Sequence, residues 1–223
     1  SEAATLPAAD LAVLRGFGVF DFLRTYGGQP FRLVEHVQRL KRSAELIGLE
    51  YDWSIEDICD LVMQTLAHND HGESNIRIVV TGGVSSDNIT PDGDPALMIM
   101  VTPAHKLPES WYSDGAKVVT VPIERFVPGA KSTNYIPAIM ALKQARAAGA
   151  IEAIYRSPEG AVYEGTTTNL FIFRGDQLLT PTTDAILPGI TRQTIIELAS
   201  GSFDLHECDL TLDDVYGADE VFI

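Results

Sequence analysis

The chain has 223 residues, with Lys+Arg 16 against Asp+Glu 31 and a formal net charge of −15. Hydrophobic residues make up 45%, which is typical of a globular chain that buries a core in one large or two small domains. The acidic balance makes nucleic acid and anionic membrane surfaces poor partners, because both are negatively charged. No apolar run approaches the ~18 residues of a membrane span, and no signal peptide is evident at the N-terminus.

The two cysteines, Cys59 and Cys208, are too few for a disulfide scaffold or a zinc site. We therefore predict no metal and a reducing, cytoplasmic location. The apolar run at residues 218–223 has no turn residues after it, so we expect the protein to continue beyond Ile223.

The first part of the chain predicts an α+β unit with an antiparallel sheet, which we take as a domain over residues 1–123. A strand over 16–26 leads through Gly27 and Gly28 into a returning strand. A helix over 33–49 follows, and Ser54 with Asp57 predicts the start of a second helix. Further strands are predicted over 75–81, 97–102 and 117–123.

The second part of the chain predicts a domain over residues 132–223. Residues 124–131 contain a Pro-Gly pair and few periodic apolar positions, which is typical of an interdomain linker. The spacing of apolar residues and turns then predicts helices over 135–148 and 190–199 and strands over 151–155, 161–163, 170–173 and 177–179.

Lys131 differs from the other four lysines, because it lies in the predicted linker just before a predicted helix. A position between domains suits a site residue. A desolvated lysine loses its proton more readily and can form a Schiff base with an aldehyde. A surface loop would place the same lysine in water, and the residue alone leaves both interpretations open.

Three further features suit an anion or a ring nitrogen, although each is also compatible with an ordinary solvated residue or capped helix. Glu164 closes a predicted strand beside a hydroxyl-rich turn, and Arg39 lies on the polar side of its helix. Residues 187–192 open a helix whose free N–H groups, with the Thr191 hydroxyl, can bind phosphate. Together with Lys131 they indicate pyridoxal 5'-phosphate, which needs a lysine, a partner for its ring nitrogen and a phosphate site.

Segments 16–49, 131–173 and 178–199 resemble the class IV aminotransferases, or fold type IV pyridoxal-phosphate enzymes, in order and spacing. The family includes branched-chain aminotransferases, D-amino-acid transaminases and aminodeoxychorismate lyases. The resemblance implies a small N-terminal antiparallel α/β domain and a larger C-terminal pseudo-barrel domain. It also implies a homodimer or higher homo-oligomer with its active site near the subunit interface.

The resemblance assigns roles to individual residues. Lys131 is expected to be the Schiff-base lysine and general base, and Glu164 is expected to hold the pyridine nitrogen. The other expected cofactor ligands are Arg39, Ile190 and Thr191 at the phosphate, Tyr135 at the ring oxygen, and Thr167 and Thr168 in a lining turn. The family also has a phosphate-contacting threonine just after the strand at which this chain stops.

Residues 14–22 depart from the commoner family pattern of a tyrosine and a G-D-G turn ahead of V-[FY]-E. Arg15 here, Arg77 in a later strand and the following Gly82-Gly83 resemble a less common group of D-amino-acid transaminases. In that group two arginines bind the substrate α-carboxylate, to which a guanidinium is geometrically matched. Arg77 could equally be an ordinary solvent-facing strand residue.

These features predict a transaminase that moves an amino group from a D-amino acid to a 2-oxo acid such as 2-oxoglutarate. Three alternatives stay open. They are a branched-chain L-amino-acid aminotransferase, an aminodeoxychorismate lyase that uses the same lysine, and a non-catalytic phosphate-ligand binding module on the same fold.

Overall fold

The computed structural model describes residues 4–223. Spatial contacts group the chain into two compact units. Unit 1 comprises the residues up to Lys106 together with Ala130–Tyr135, and unit 2 comprises Leu107–Gly129 together with Ile136–Ile223.

Unit 1 contains a four-stranded sheet of order β2-β1-β3-β4 in which every pairing is antiparallel. The predicted strands and helices of this region are confirmed, whereas a short first helix was not predicted. In chain order the elements are α1 (Leu11–Arg15), β1 (Gly18–Tyr26), β2 (Gln29–Pro30), α2 (Leu33–Ile47), α3 (Ile55–Ala67), β3 (Ser74–Thr81) and β4 (Leu97–Pro103).

Local sequence signals explain where the two long helices of unit 1 begin and end. Ser54 and Asp57 form the predicted capping box, in which the Asp57 N–H donates to Ser54 Oγ (3.1 Å) and the Ser54 N–H to Asp57 Oδ2 (2.9 Å). Helix α2 ends at Gly48, whose φ of 70° favours glycine. One face of the sheet packs on these helices, through the buried residues Val19, Leu23, Val37, Leu40, Ile58, Val62, Ile76, Ile78 and Val80.

Unit 2 contains two four-stranded sheets, of order β11-β7-β6-β5 and β10-β9-β8-β12. Its elements are α4 (Ser110–Ser113), β5 (Val118–Pro122), α5 (Ile136–Ala147), β6 (Glu152–Arg156), β7 (Ala161–Gly165), β8 (Phe171–Arg174), β9 (Gln177–Thr180), α6 (Ile190–Ala199), β10 (Asp204–Glu207), β11 (Leu210–Thr211), α7 (Leu212–Tyr216) and β12 (Glu220–Phe222). The predicted elements recur here, and the short α4, β10, β11 and α7 are additional. The mixed α+β architecture is therefore as predicted.

Two segments group differently from the predicted domains. Strand β5 was placed in the N-terminal antiparallel sheet, but it pairs in parallel with β6 and so belongs to unit 2. Residues 130–135 group with unit 1 because their backbone hydrogen-bonds to β1, where the Phe20 N–H donates to the Lys131 carbonyl and the Thr133 N–H to the Gly18 carbonyl (both 2.9 Å). Neither pairing can be read from local sequence, because both join residues far apart in the chain.

Across residues 4–223, no helix combines the length and apolar character needed to cross a membrane. The same part of the chain contains no cluster of three His, Cys, Asp or Glu side chains able to hold a metal ion.

Candidate active site

Lys131 lies in an extended segment of unit 1 that is hydrogen-bonded on two sides. On one side it pairs with β1, as described above, and Ser132 forms a β-bridge with Val19. On the other side, the Lys131 N–H donates to Ser43 Oγ (3.0 Å), and this hydroxyl donates to the Arg39 carbonyl (2.8 Å). Ser43 is fully buried in α2. The Lys131 backbone is therefore held between a strand and a helix.

Three of the predicted site residues lie around the ring of Phe20. Lys131 Nζ lies 4.8 Å from the ring centre and Arg77 Cζ lies 5.0 Å from it. The Tyr135 ring packs edge-on against the same ring, with centres 5.4 Å apart. Arg77 also lies 5.4 Å from the ring of Phe22, its cross-strand partner. Cations over aromatic faces are attracted by the ring quadrupole, so Phe20 orients both charged side chains.

Arg15 is not part of this group. It is the last residue of α1 and is exposed, and its Nη1 donates to the carbonyl of Leu14 (3.0 Å). Arg77 is also exposed, and within residues 4–223 it contacts no carboxylate. The structure therefore places Arg77 and Lys131 on one ring, whereas the contact described for Arg15 is to its own helix.

Arg39 is buried rather than solvated, since it is 4% exposed. Its guanidinium forms a two-pronged ion pair with Asp21, with Nε 2.9 Å from Oδ2 and Nη2 2.8 Å from Oδ1. His36 Nδ1 lies 2.6 Å from the same Oδ1. Burial by itself raises the pKa of Asp21, but the hydrogen bonds and charges of His36 and Arg39 outweigh it, so the pKa lies below its usual range. Asp21 is therefore an ionised partner of Arg39.

Glu164 is buried at the end of β7 in unit 2 and is held from two directions. Its Oε1 accepts from Arg125 Nη1 (2.9 Å), which also donates to the Pro128 carbonyl (2.7 Å). Its Oε2 accepts from the Leu187 N–H (3.0 Å) and from Asn169 Nδ2 (3.3 Å). Contacts to both oxygens restrict the carboxylate to one orientation.

The predicted threonine turn follows directly after Glu164 and is pinned by the buried Glu152. One oxygen of Glu152 accepts from the Thr166 hydroxyl, and the other accepts from the Thr167 hydroxyl (2.7 Å) and N–H (3.2 Å). Thr168 Oγ1 is buried and has no hydrogen-bond partner within the described chain. A buried hydroxyl without a partner is uncommon, and a bound group is one way to satisfy it.

The start of α6 has the backbone features of an anion site. Its N-cap is Gly189, which supplies no side-chain hydrogen bond to the first-turn N–H groups of residues such as Ile190 and Thr191. A Cβ on Gly189 would lie 2.0 Å from Asn169 Oδ1, so the close approach of Asn169 requires glycine here. Ile190 is buried and Thr191 is exposed. The predicted phosphate residues of unit 2 thus lie on one helix terminus.

Each unit, taken by itself, contains groups of the kinds that pyridoxal phosphate binds. Unit 1 contains an amine and a guanidinium, and unit 2 contains a fixed carboxylate, a helix terminus without a side-chain cap and a buried hydroxyl without a partner in the described residues. The residues that sequence reasoning missed are the supporting ones: Phe20, Asp21, His36, Ser43, Arg125 and Glu152. Two of them carried a local signal: Asp21 is an acidic residue inside an apolar strand, and His36 opens the H-x-x-R-L pattern that contains Arg39.

Comparison with known families and proteins gives consistent matches. The chain matches the family "Amino-transferase class IV" over residues 18–223. A putative branched-chain-amino-acid aminotransferase of Methanocaldococcus jannaschii is 37% identical over 99% of this chain and 78% of that protein. A D-alanine aminotransferase of Listeria monocytogenes serotype 1/2a is 34% identical over 100% of this chain and 79% of that protein.

The fold is likewise shared with solved structures. The branched-chain aminotransferase of Thermoproteus uzoniensis, crystallised with norvaline, has a TM-score of 0.89 and 34% sequence identity. That alignment covers 100% of this chain and 78% of that one. The fold expected from the sequence is thereby confirmed.

Replacing Ser43 by alanine is expected to lower the free energy of unfolding by about 1–3 kcal/mol, because the Lys131 N–H loses its buried acceptor. Chemical denaturation measures this change. Thr65→Ala is the matched control, since the Thr65 hydroxyl also donates to a helix carbonyl, that of Leu61 (2.7 Å), without reaching another element. Equal losses in the two variants would show that the bond to Lys131 contributes nothing.

Proposed function

The chain belongs to the class IV aminotransferases, which are pyridoxal-phosphate-dependent transferases, and on this premise we propose that it moves the amino group of a D-amino acid to a 2-oxo acid such as 2-oxoglutarate. Amino acids and 2-oxo acids are the substrates that membership of this family implies. The preference for the D enantiomer and the role of each residue are our proposal.

The observation that carries the proposal is the placement of Arg77 and Lys131 on one ring. Each charged group lies about 5 Å from the centre of Phe20, so the two are separated by no more than the combined distances, about 10 Å. An α-amino acid spans about 3 Å from nitrogen to carboxylate, and a charge-assisted hydrogen bond adds about 2.8 Å at each end. An amino acid whose carboxylate binds Arg77 can therefore present its amino group and Cα near Lys131.

We propose that Lys131 holds the cofactor and moves protons. When bound, pyridoxal phosphate supplies an aldehyde that condenses with amino groups and a ring that takes up electrons from Cα. With the cofactor bound, Lys131 Nζ would accept the proton from the substrate Cα and would deliver it to the former aldehyde carbon of the cofactor, acting first as base and then as acid. The bonds from β1 and Ser43 fix the Lys131 backbone.

In unit 2, Glu164 is proposed to hold the protonated ring nitrogen. Arg125 and the Leu187 N–H already fix its two oxygens, so little conformational entropy is lost when it accepts one more donor. The first-turn N–H groups of α6 and the Thr191 hydroxyl are proposed phosphate ligands, as is Arg39 in unit 1. Tyr135 is the proposed ligand of the ring oxygen, and Thr167 and Thr168 line the cofactor.

We further propose a homodimer or higher homo-oligomer in which the partner subunit supplies one of the two arginines. Because Arg77 lies on the same ring as Lys131 of its own chain, the proposed partner arginine is Arg15. One face of α5 supports an oligomer, because its apolar side chains are more than half exposed: Ile136 (68%), Ile139 (54%) and Met140 (58%). Apolar side chains grouped on one helix face are typical of a surface that another chain covers.

A branched-chain L-amino acid is the second candidate substrate, supported by the name of the Methanocaldococcus relative. The same lysine and cofactor would serve it. Parallel assays with D-alanine and L-leucine, each with 2-oxoglutarate, decide between the two, and turnover that does not need a 2-oxo acid would instead favour a lyase. If L-leucine alone is transaminated, the two-arginine proposal is wrong.

Lys131→Ala is expected to remove the bond to the cofactor that borohydride reduces, with the far-ultraviolet circular dichroism unchanged. Lys143→Ala is the control, because Lys143 is exposed on α5. Mass spectrometry after reduction measures the attached cofactor. A reduced adduct on the Lys131→Ala protein would place the reactive lysine elsewhere.

Glu164→Gln is expected to retain bound cofactor and to lower kcat at least about ten-fold, because an amide meets the ring nitrogen without favouring its protonated form. Absorbance spectra measure the cofactor, and single-turnover kinetics measure the rate. Glu159→Gln, in an exposed turn of the same unit, should leave the rate near normal. A normal rate for Glu164→Gln would contradict its proposed role.

Arg77→Leu and Arg15→Leu are each expected to raise KM for D-alanine about ten-fold or more, since each loses a charge-assisted hydrogen bond of about 1.5–3 kcal/mol. The cofactor spectrum should stay unchanged, because neither residue is assigned to the cofactor. Arg42→Leu, an exposed arginine on α2, serves as the control. An unchanged KM in either variant removes that arginine from the substrate site.

A further inference from the structure

Asp21 is an ionised carboxylate in the interior of unit 1, and none of the roles proposed above involves it. Asp21 is fully buried in the middle of β1, on the strand face that also carries Val19 and Leu23 and packs against α2. A charged group is costly to bury, so its retention in this position calls for a specific partner.

The partners of Asp21 lie on one face of α2. Arg39 donates to both oxygens through Nε and Nη2, and His36, three residues earlier, contacts Oδ1. The Phe22 N–H also donates to Oδ1 (2.7 Å). Asp21 is thus held by its own strand and by His36, and it presents two acceptor atoms in the plane that matches a guanidinium.

We propose that Asp21 is a positioning residue for cofactor binding, which holds the Arg39 guanidinium in the orientation that receives the phosphate, while His36 holds Asp21. This inference rests on the proposed function, because it takes Arg39 as a phosphate ligand. A long arginine side chain otherwise loses rotamer freedom when it binds. Because Asp21 already fixes two of the Arg39 nitrogens, the rotamer freedom is lost when the protein folds. The loss therefore does not lower the affinity for phosphate.

Asp21 also has an opposite effect on phosphate binding. The direction in which phosphate affinity changes when Asp21 is replaced therefore tests the proposal. The negative charge of Asp21 lies beside the arginine and repels an anion. If charge alone mattered, Asp21→Asn would strengthen phosphate binding. Asparagine offers one acceptor oxygen and turns an NH₂ group toward the guanidinium, so the two-pronged contact is lost and orientation with it. The proposal requires that the loss of orientation outweighs the gain in charge.

The test compares pyridoxal phosphate with pyridoxal, which has the same aldehyde and ring but no phosphate. Binding of each to the apoprotein is titrated by absorbance, and the ratio of the two affinities isolates the phosphate contribution. Asp21→Asn is expected to lower this ratio about ten-fold or more, with the affinity for pyridoxal unchanged. An unchanged or raised ratio overturns the proposal.

Arg39→Lys and the double variant separate this inference from the proposed function. Arg39→Lys alone should lower the ratio, and adding Asp21→Asn should lower it no further, because Asp21 acts through Arg39. If Arg39→Lys leaves the ratio unchanged, Arg39 is not a phosphate ligand and both proposals fail. If Arg39→Lys lowers it and Asp21→Asn does not, only the role of Asp21 is wrong.

Asp10→Asn is the matched control. Asp10 is equally buried in unit 1 and accepts hydrogen bonds from Thr81 Oγ1 (2.6 Å) and the Ala12 N–H (2.7 Å), but none from an arginine. It should leave the ratio unchanged. If Asp21→Asn does not fold, His36→Ala tests the same contact, because it keeps both Asp21 and Arg39 and removes the side chain that holds Oδ1. That variant is expected to lower the ratio by a smaller factor, and an unchanged ratio would overturn the proposal.

Discussion

The backbone pairing between β1 and residues 131–133 is the constraint on which the position of Lys131 depends. A lysine that moves protons between two atoms needs a long side chain that can move. Its amino group reaches both atoms reliably only if the Cα is held in place. Gly18 makes the pairing possible, because a Cβ there would lie 2.9 Å from the Val80 carbonyl oxygen and 3.3 Å from Thr133 Oγ1. Ser43 then ties the same segment to α2.

The two faces of strand β1 contact different proposed site residues of unit 1. Successive side chains of a strand point to opposite sides, so Phe20 and Asp21 face different neighbours. Phe20 faces the cations of Lys131 and Arg77, while Asp21 faces Arg39 on α2. A residue inserted into β1 would exchange the two faces and misplace both sets at once. The proposed cofactor and substrate contacts of this unit therefore share one reference strand.

The sequence predicted what short-range rules determine. The capping box at Ser54 and the Ile190 start of α6 depend on neighbouring residues, and the structure has both. The sequence did not predict the parallel pairing of β5 with β6, because long-range packing determines which strands pair. Supporting residues were missed for the same reason. Ser43 and Lys131 are 88 positions apart, and nothing local to either reveals the hydrogen bond between them.

A chain with a net charge of −15 must nevertheless bind an anionic cofactor and substrates that carry a carboxylate. Screening resolves this conflict, because at physiological salt a charge is felt over only about 8 Å. The cations that matter are then those near the ligand, and both units place arginines where backbone or carboxylate contacts hold them. Arg39 and Arg125 are paired with Asp21 and Glu164, so each pair adds little net charge. Arg77 is exposed and contacts no carboxylate within the described residues, which leaves its full charge to attract a carboxylate from solution. If Arg39 and Arg77 bind the phosphate and the substrate as proposed, the paired arginine supplies orientation and the exposed one supplies attraction.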